Sequence, residues 1–527
     1  MNQVVHKVKN LKKKRLFHFI TRIEREFPDS RVSLVGGAVR DVLLERECKD
    51  YDFVVQYVPI QKLQRFLSSL GKVDLVGRRF GVLKFVPKHG KKEIEGGLVE
   101  PFDIALPRQE ASILNTGHYR DFHITTNENL PLEEDLSRRD FTINALAVDM
   151  RTGRLVDPFG GLKDLKKKII RTVGNPEDRF REDYSRMLRA LRFSCTLAFR
   201  IEPRTSSAMK TMMHDLDREI ETPPHIKTRH DLPTMRVVPY EVIASELLKT
   251  FIKNPVRAFD LYDSFHVFNT ITPELLAMKG CPQPREWHAE GDVWTHTRAA
   301  LRMLTSLAFF RACSVLQELY PSLVVHLSPT LIIAALFHDI GKPYTLKIPE
   351  RDNVDRIRFD GHDRVGGRMA YENVRRLKLY VYSEYGVDPH DVEWLIKNHL
   401  LLLNSNFETL KKTTIERYFF QNPFLGATLL QLVFVDSKAS KRADSTSSMG
   451  TYTTFIKKLK QFLAQGGPRR VLPAPLLDGD EVMEILSLKQ SPRVGELLHA
   501  LREEQLARRV KTKRDARKFL ILSSRTK

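Results

Sequence analysis

The sequence predicts an α+β protein in which an α/β module over residues 1–150 is followed by a chain that is helical to its end. Three observations carry this. Val32 to Val35 is an apolar run that enters Gly36-Gly37 and then a helical pattern from Ala38, giving a strand, a glycine turn and a helix in succession. A second strand-like run, Tyr51 to Gln56, opens beside two carboxylates, Asp50 and Asp52. From about Leu162 the apolar period turns helical: Tyr184, Leu188 and Leu191 recur at i, i+4 and i+7, and Val242 to Phe251 follows a similar pattern.

In chain order, further strands are expected at Gly81 to Val86 and Glu100 to Leu106, and the polar stretch Arg108 to Glu133 reads as a mobile loop. Prolines and charges at 221–239 and 466–475 read as linkers, with a break near Cys281-Pro282-Gln283-Pro284 and no internal repeat. At 527 residues, 42% hydrophobic and 29% charged, the composition is globular and excludes disorder as the main state. The longest apolar run, Leu331 to Phe337, is too short to span a bilayer and reads as a buried helix. The basic N-terminus has no apolar core of a secretion signal, and the four cysteines are scattered without metal spacing. The expected location is the cytoplasm, with no membrane partner. An excess of 86 Lys+Arg over 65 Asp+Glu, a formal charge of +21, calls for a polyanionic partner.

Residues two apart on a strand share a face, so Asp50 and Asp52 would repel unless a cation lies between them. Mg²⁺ is the usual cation shared by carboxylates and substrate phosphates. Phosphoryl transfer between two metal ions needs a third acid, and Asp103 in Phe102-Asp103-Ile104 is placed to supply it from a neighbouring strand. Upstream, Gly36-Gly37 lets backbone N–H groups approach phosphate oxygens at a helix start, and Arg40 could hold a phosphate in its planar fork. A phosphate cradle followed by a carboxylate pair describes a nucleotidyl-transfer site.

These motifs, with Arg138-Arg139-Asp140-Phe141-Thr142-Ile143-Asn144, Asp157-Pro158-Phe159-Gly160-Gly161 and Glu182-Asp183-Tyr184-Ser185-Arg186, closely resemble the class II tRNA nucleotidyltransferase and bacterial poly(A) polymerase family. The resemblance implies a polymerase-beta type nucleotidyltransferase head with a mixed sheet, then all-α neck, body and tail. It implies domains at 1–150 (head), 151–220 (neck), 221–280 (body), 281–440 and 441–527 (tail). Carried over, it gives Asp50 and Asp52 as Mg²⁺ ligands with Asp103 as the third catalytic acid. Arg138, Arg139, Asp140 and Asn144 would contact ribose and triphosphate, Asp183 and Arg186 would read the incoming base, and Arg189 would join the nucleotide-binding set. Read as one helix, Asp183 and Arg186 are i, i+3 and share a face, so an acceptor beside a donor could match the edges of both cytosine and adenine.

Within this family the expected reaction is template-independent addition of CCA to tRNA 3′ ends from CTP and ATP. Poly(A) addition is the alternative, and from another class an RNA-binding protein whose head is degenerate. Leu75-Val76-Gly77-Arg78-Arg79-Phe80-Gly81-Val82 does not separate the products. The stretch Arg108 to Arg139 resembles the flexible loop of CCA-adding enzymes that carry a hydrolase domain. The implied partners are tRNA and nucleoside triphosphates, and a homodimer is compatible.

Downstream, an adjacent His338-Asp339 at the end of an apolar helix must find partners where burial is high, and metal coordination satisfies both. With His296, His362, His399 and Asp436 the series suits Mg²⁺ or a divalent transition metal rather than a structural zinc. It resembles the HD-domain phosphohydrolases, which implies metal-dependent hydrolysis of phosphomonoesters or 2′,3′-cyclic phosphates. The basic run Arg508 to Arg514 is either a solvated face or an RNA contact.

Overall fold

The computed structural model describes residues 11–48, 50–76, 81–88, 101–114, 116–226, 233–382, 385–404, 410–441, 449–468, 474–506 and 509–524. The chain divides into two compact units, Met1–Pro273 and Glu274–Lys527.

The first unit is built on a seven-stranded sheet. Its strands are β1 (Arg31–Val35), β2 (Asp52–Gln56), β3 (Gly71–Val76), β4 (Val82–Pro87), β5 (Phe102–Ala105), β8 (Ala147–Asp149) and β9 (Leu155–Val156), in the order β3-β4-β5-β2-β1-β8-β9. The β2–β5 pair is parallel and the remaining pairs are antiparallel, so the sheet is mixed. Successive side chains alternate in direction, which sends Asp52 and Asp103 to one face and Phe53 and Phe102 to the other. There Phe19, from the helix His18–Glu26, meets Phe53 at 5.7 Å and Phe102 at 5.1 Å, ring centre to ring centre. This aromatic layer is the floor beneath the two carboxylates.

Several expectations change. β2 begins at Asp52, because its partner β1 ends at Val35 where Gly36 turns away at φ +72°, so Asp50 lies exposed ahead of the strand rather than on it. The stretch expected as a mobile loop forms a hairpin of β6 (Arg108–Ser112) and β7 (Phe122–Thr126), followed by the helix Leu132–Ser137. Part of the expected linker at 221–239 forms a short ladder, Glu219–Glu221 with Thr234–Arg236. Residues 77–80, 100, 469–473 and 508, which belong to the product-ambiguous segment, a strand end, a linker and the basic run, lie outside the described residues. Beyond the sheet the helix Ser185–Leu197 buries Leu188 and Leu191 as their spacing predicts and packs on the helix Tyr240–Lys253, while Tyr184, also buried, caps its start rather than lying in it.

In the second unit the helices Val293–Met303, Pro329–Phe337, His362–Arg376, Pro389–Asn398 and Pro423–Ala439 pack together, the apolar Pro329–Phe337 being buried from Thr330 to its end. The helices Gly479–Leu486, Pro492–Leu506 and Lys513–Ser524 close on a core of Val482, Leu497, Leu501, Ala516 and Leu520. Among the described residues no single helix is long and apolar enough to cross a membrane.

Candidate nucleotide and metal sites

The parallel β2–β5 register places Asp52 opposite Asp103. Burial pushes the Asp52 carboxyl above its ordinary pKa; Arg139 opposes the shift, and the Asp103 and Asp50 charges reinforce it. Asp103 Oδ1 is buried without a hydrogen bond and faces Lys84 Nζ at 3.3 Å, across the antiparallel β4 register. Converging acids, one with a buried oxygen held by an ion pair but by no hydrogen bond, are a fit for a hard divalent cation.

Gly36 is required by geometry. Its φ of +72° disfavours any side chain, and a Cβ there would come 2.3 Å from Arg139 Nη1. Arg40 is engaged on three nitrogens: Nε and Nη2 donate to the two Asp41 oxygens at 2.9 Å, and Nη1 donates to Asn144 Oδ1 at 2.7 Å. Gly37 opens the helix that carries it.

Arg138 and Arg139 converge on a carboxylate that the motif reading did not single out. Asp135, fully buried, accepts from Arg138 Nε and Nη2 on Oδ1, at 3.1 and 2.8 Å, and from Arg139 Nη2 on Oδ2 at 3.2 Å. Glu110 on the hairpin accepts a third Arg138 bond at 2.8 Å and pairs with Arg108. The available signal was an acid one helical turn before each arginine, at i−3 and i−4.

Asp140 is a hub. Its Oδ1 accepts from Asn144 Nδ2 at 2.9 Å and its Oδ2 from Arg189 Nε and Nη2 at 2.9 and 2.7 Å. Burial alone would raise the Asp140 pKa, but the Arg189 charge and these bonds bring it down to about 2.

Asp183 and Arg186 do not share one helix. Asp183 is extended, at φ −156° and ψ 102°, in the joint between the helices Pro176–Glu182 and Ser185–Leu197, where its Oδ1 accepts from Ser185 N at 2.9 Å. Arg186 donates instead to Glu182 Oε2 at 2.5 Å and to Arg179 O at 3.0 Å. Burial raises the Asp183 pKa. Both residues nevertheless line one cleft of about 1160 Å³ with Arg138, Arg139, Asp140 and Arg189, and the hairpin residues Tyr119, Arg120 and Phe122 form another part of its wall.

The second site lies in the other unit. His338, His362 and His399 each hold Nδ1 against the carbonyl three residues back: Ala335 at 2.9 Å, Phe359 at 2.8 Å and Ile396 at 2.6 Å. Donation there fixes each tautomer and turns the Nε2 lone pair inward. Asp339 stands among them, with Oδ2 3.3 Å from His338 Nε2 and 3.8 Å from His296 Nε2, and Oδ1 3.6 Å from His362 Nε2 and 3.9 Å from His399 Nε2. Asp436 Oδ1 lies 2.9 Å from His296 Nε2 and 3.9 Å from His338 Nε2. All six residues are buried, and the Nε2 atoms of His338 and His362 have no hydrogen-bond partner, so the set fits a divalent metal centre. Burial would lower the His296 pKa, but Asp436 and Glu290 raise it to about 9. Glu290 and Lys342 were not anticipated: Glu290 Oε1 bonds His296 Nδ1 at 2.8 Å, and Lys342 Nζ pairs with Asp339 Oδ2 at 2.8 Å. The His288-Ala289-Glu290 spacing ahead of His296 and a lysine at i+3 from Asp339 were the signals for them.

The geometry is that of a nucleotidyl-transfer head followed by a unit that buries a cluster of histidines and carboxylates suited to a divalent metal. Residues 32–171 match the family described as "Poly A polymerase head domain", and residues 295–428 match the "HD domain" family. The chain is 32% identical over 493 residues to the A-adding tRNA nucleotidyltransferase of Deinococcus radiodurans, covering 93% of this chain and 94% of that one. It is 34% identical over 324 residues to the Multifunctional CCA protein of Stenotrophomonas maltophilia, covering 60% and 65%. The structure resembles the Bacillus stearothermophilus CCA-adding enzyme in complex with CTP, with TM-score 0.52, 19% identity and coverage of 97% and 96%, a likeness of fold. The chain therefore belongs to the tRNA nucleotidyltransferase family, in the form that carries an HD domain.

Proposed function

We propose that this protein adds nucleotides to the 3′ end of tRNA without a nucleic-acid template, completing CCA from CTP and ATP in the cytoplasm, and that its second unit is a metal-dependent phosphohydrolase. We divide it functionally into head (1–150), neck (151–220), body (221–280), HD domain (281–440) and tail (441–527). The observation that carries the transferase reading is the cleft in which Asp183 and Arg186 stand beside Arg138, Arg139, Asp140 and Arg189, with Arg139 reaching the Gly36 turn next to Asp52.

Asp52 and Asp103, with Asp50 ahead of the strand, would hold Mg²⁺, which when bound polarises the α-phosphate and makes the RNA 3′-hydroxyl a better nucleophile. Arg138 and Arg139 bind the triphosphate as a pair held by Asp135. Arg40 keeps Asn144, and through it Asp140, in place for the ribose. Asp183 supplies an acceptor and Arg186 a donor to the base, and Glu182 aims that guanidinium. In the second unit His296, His338, Asp339, His362, His399 and Asp436 would hold Mg²⁺ or a divalent transition metal, which when bound activates water toward phosphomonoesters or 2′,3′-cyclic phosphates.

A second reading, addition of the terminal A alone, draws support from the A-adding relative that matches along nearly the whole chain, where the Stenotrophomonas relative matches 60%. Incubating tRNA transcripts that lack CCA, or end in C or CC, with each labelled nucleotide separates the outcomes. Ordered C, C and A incorporation supports the first reading. Labelling by ATP only, and only on CC ends, supports the second, and long A tails with no CTP incorporation mark a poly(A) polymerase. Unaffected incorporation in Asp50→Ala/Asp52→Ala would end all three.

A further inference from the structure

Beside the histidine centre the second unit has a cleft of about 900 Å³ lined by Arg364, Trp394, Lys397, Asn398, Arg417 and Tyr418 among others. It is joined to the centre by the chain itself. Asp363, which follows His362, lines both this cleft and the one that contains His362, His399 and Asp436, and Asn398 precedes His399. The Trp394 and Tyr418 rings lie 6.0 Å apart with planes 31° from parallel, and the Arg417 guanidinium lies 5.5 Å from the Tyr418 ring centre.

Arg417 and Tyr418 are presented by a π-helical turn, Glu416–Phe420. Such turns are rare and recur at functional sites. This one is held firmly: Phe419 O accepts from the Tyr320 hydroxyl at 2.9 Å, and Gly426 lies so close that a Cβ would come 2.2 Å from the same oxygen. Opposite it, the helix Pro389–Asn398 carries Trp394 and Lys397 on the way to His399. A rigid aromatic platform rimmed by Arg364, Lys397 and Arg417 is the chemistry that takes single-stranded nucleic acid: π faces stack on bases of any sequence, and the cations follow the backbone phosphates.

We infer that this cleft is a binding subsite for single-stranded RNA, seating the nucleotides next to the terminal phosphate presented to the histidine centre. This rests on the phosphohydrolase reading of that centre and adds its preferred substrate class: an RNA end whose preceding nucleotide the cleft seats, so that it binds more tightly than a free mononucleotide. Trp394 and Tyr418 stack the base, and Arg417 and Arg364 hold the phosphate.

The test uses the full chain supplied with Mn²⁺ or Ni²⁺ and three substrates: a pentanucleotide RNA ending in a 2′,3′-cyclic phosphate, the mononucleoside 2′,3′-cyclic phosphate, and bis(p-nitrophenyl) phosphate. Trp394→Leu and Tyr418→Leu are each expected to raise KM for the pentanucleotide by ~10-fold or more, the scale of one lost stacking contact. Turnover of the other two substrates should stay within about twofold of wild type. An unchanged pentanucleotide KM, or an equal rise on all three substrates, overturns the inference. A second readout needs no catalysis: RNA containing 4-thiouridine is cross-linked to the metal-free chain and the adducts mapped. Adducts within residues 389–425 that vanish in Trp394→Leu support the subsite; adducts confined to the first unit assign the cleft to a different class of partner and overturn it. If wild type cleaves none of the three substrates, the phosphohydrolase reading fails, and the cross-linking alone decides the cleft.

Discussion

Replacing Asp135 by Asn tests whether a buried carboxylate orients the two arginines that would grip the triphosphate. Asp135 is fully buried, and its two oxygens serve Arg138 and Arg139 separately. Asn keeps one acceptor for Arg138, which also retains Glu110, but turns an amide donor toward Arg139 Nη2. A hydrogen bond to a charged group contributes ~1.5–3 kcal/mol, and breaking a buried pair costs ~3–5 kcal/mol, so a loss of about 3 kcal/mol is expected. At ~2–4 °C per kcal/mol for units of this size, the melting transition of the first unit should fall by about 6–12 °C. A clamp displaced by an ångström loses ~100-fold in rate, so kcat/KM for ATP should drop on that scale, with KM carrying much of it. The effect has a pH signature. Burial would raise the Asp135 pKa, but Arg138 and Arg139 outweigh it and hold it below the ordinary carboxylate value. A lowered folded pKa gives stability that is full above the unfolded pKa of ~4 and lost as pH falls below it. The melting difference between wild type and Asp135→Asn should therefore shrink as pH falls from 5 to 3. Incorporation kinetics and melting indistinguishable from wild type at neutral pH would refute the reasoning.

Asp52→Asn should reduce incorporation by ~10³-fold while leaving the fold as stable as wild type or more so, because burial and the neighbouring acids already disfavour its charge; loss of the circular dichroism signal would contradict this. Glu182→Ala removes the 2.5 Å acceptor of the Arg186 guanidinium, leaving it only backbone carbonyls such as Arg179 O at 3.0 Å, and should weaken rejection of UTP and GTP by ~10-fold in competition assays, since base reading depends on a fixed donor. His338→Ala combined with Asp339→Ala should abolish retained metal in the second unit, measured by mass spectrometry after dialysis, and leave nucleotide incorporation intact. Metal removal by chelator should stop incorporation yet leave helix content unchanged, because three of the histidines are held by backbone carbonyls.

What could be read from the sequence was what local spacing encodes. Gly36-Gly37 between an apolar run and a helix, Asp52 and Asp103 within strand-like runs, and the adjacent His338-Asp339 at the end of an apolar helix carry their signal within a few positions, while His296, His362, His399 and Asp436 are legible by their order along the chain. The hairpin is hard to read locally because the half-buried face of β6 carries Arg108, Glu110 and Ser112 and so shows no apolar alternation, while β7 alternates Phe122 and Ile124 with His123 and Thr125 over only five residues. Asp50 was assigned to β2 by the same alternation, but strand length is set by the partner, which turns off at Gly36. Asp183 was assigned to one helix with Arg186 because their spacing allows it; the break between them comes from tertiary placement of two helices. Lys84 meets Asp103 across a strand ladder and Glu110 meets Arg138 beyond the helix Leu132–Ser137, contacts that no local pattern reveals.

The alternation along β2 and β5 has a consequence for quality control. Asp52 and Phe53 are neighbours in sequence on opposite faces, and so are Asp103 and Phe102. A pairing one residue out of step would turn the acids into the phenyl layer and the rings out to water. The head cannot assemble its aromatic core incorrectly and remain an enzyme, so errors of strand pairing are silenced as they arise.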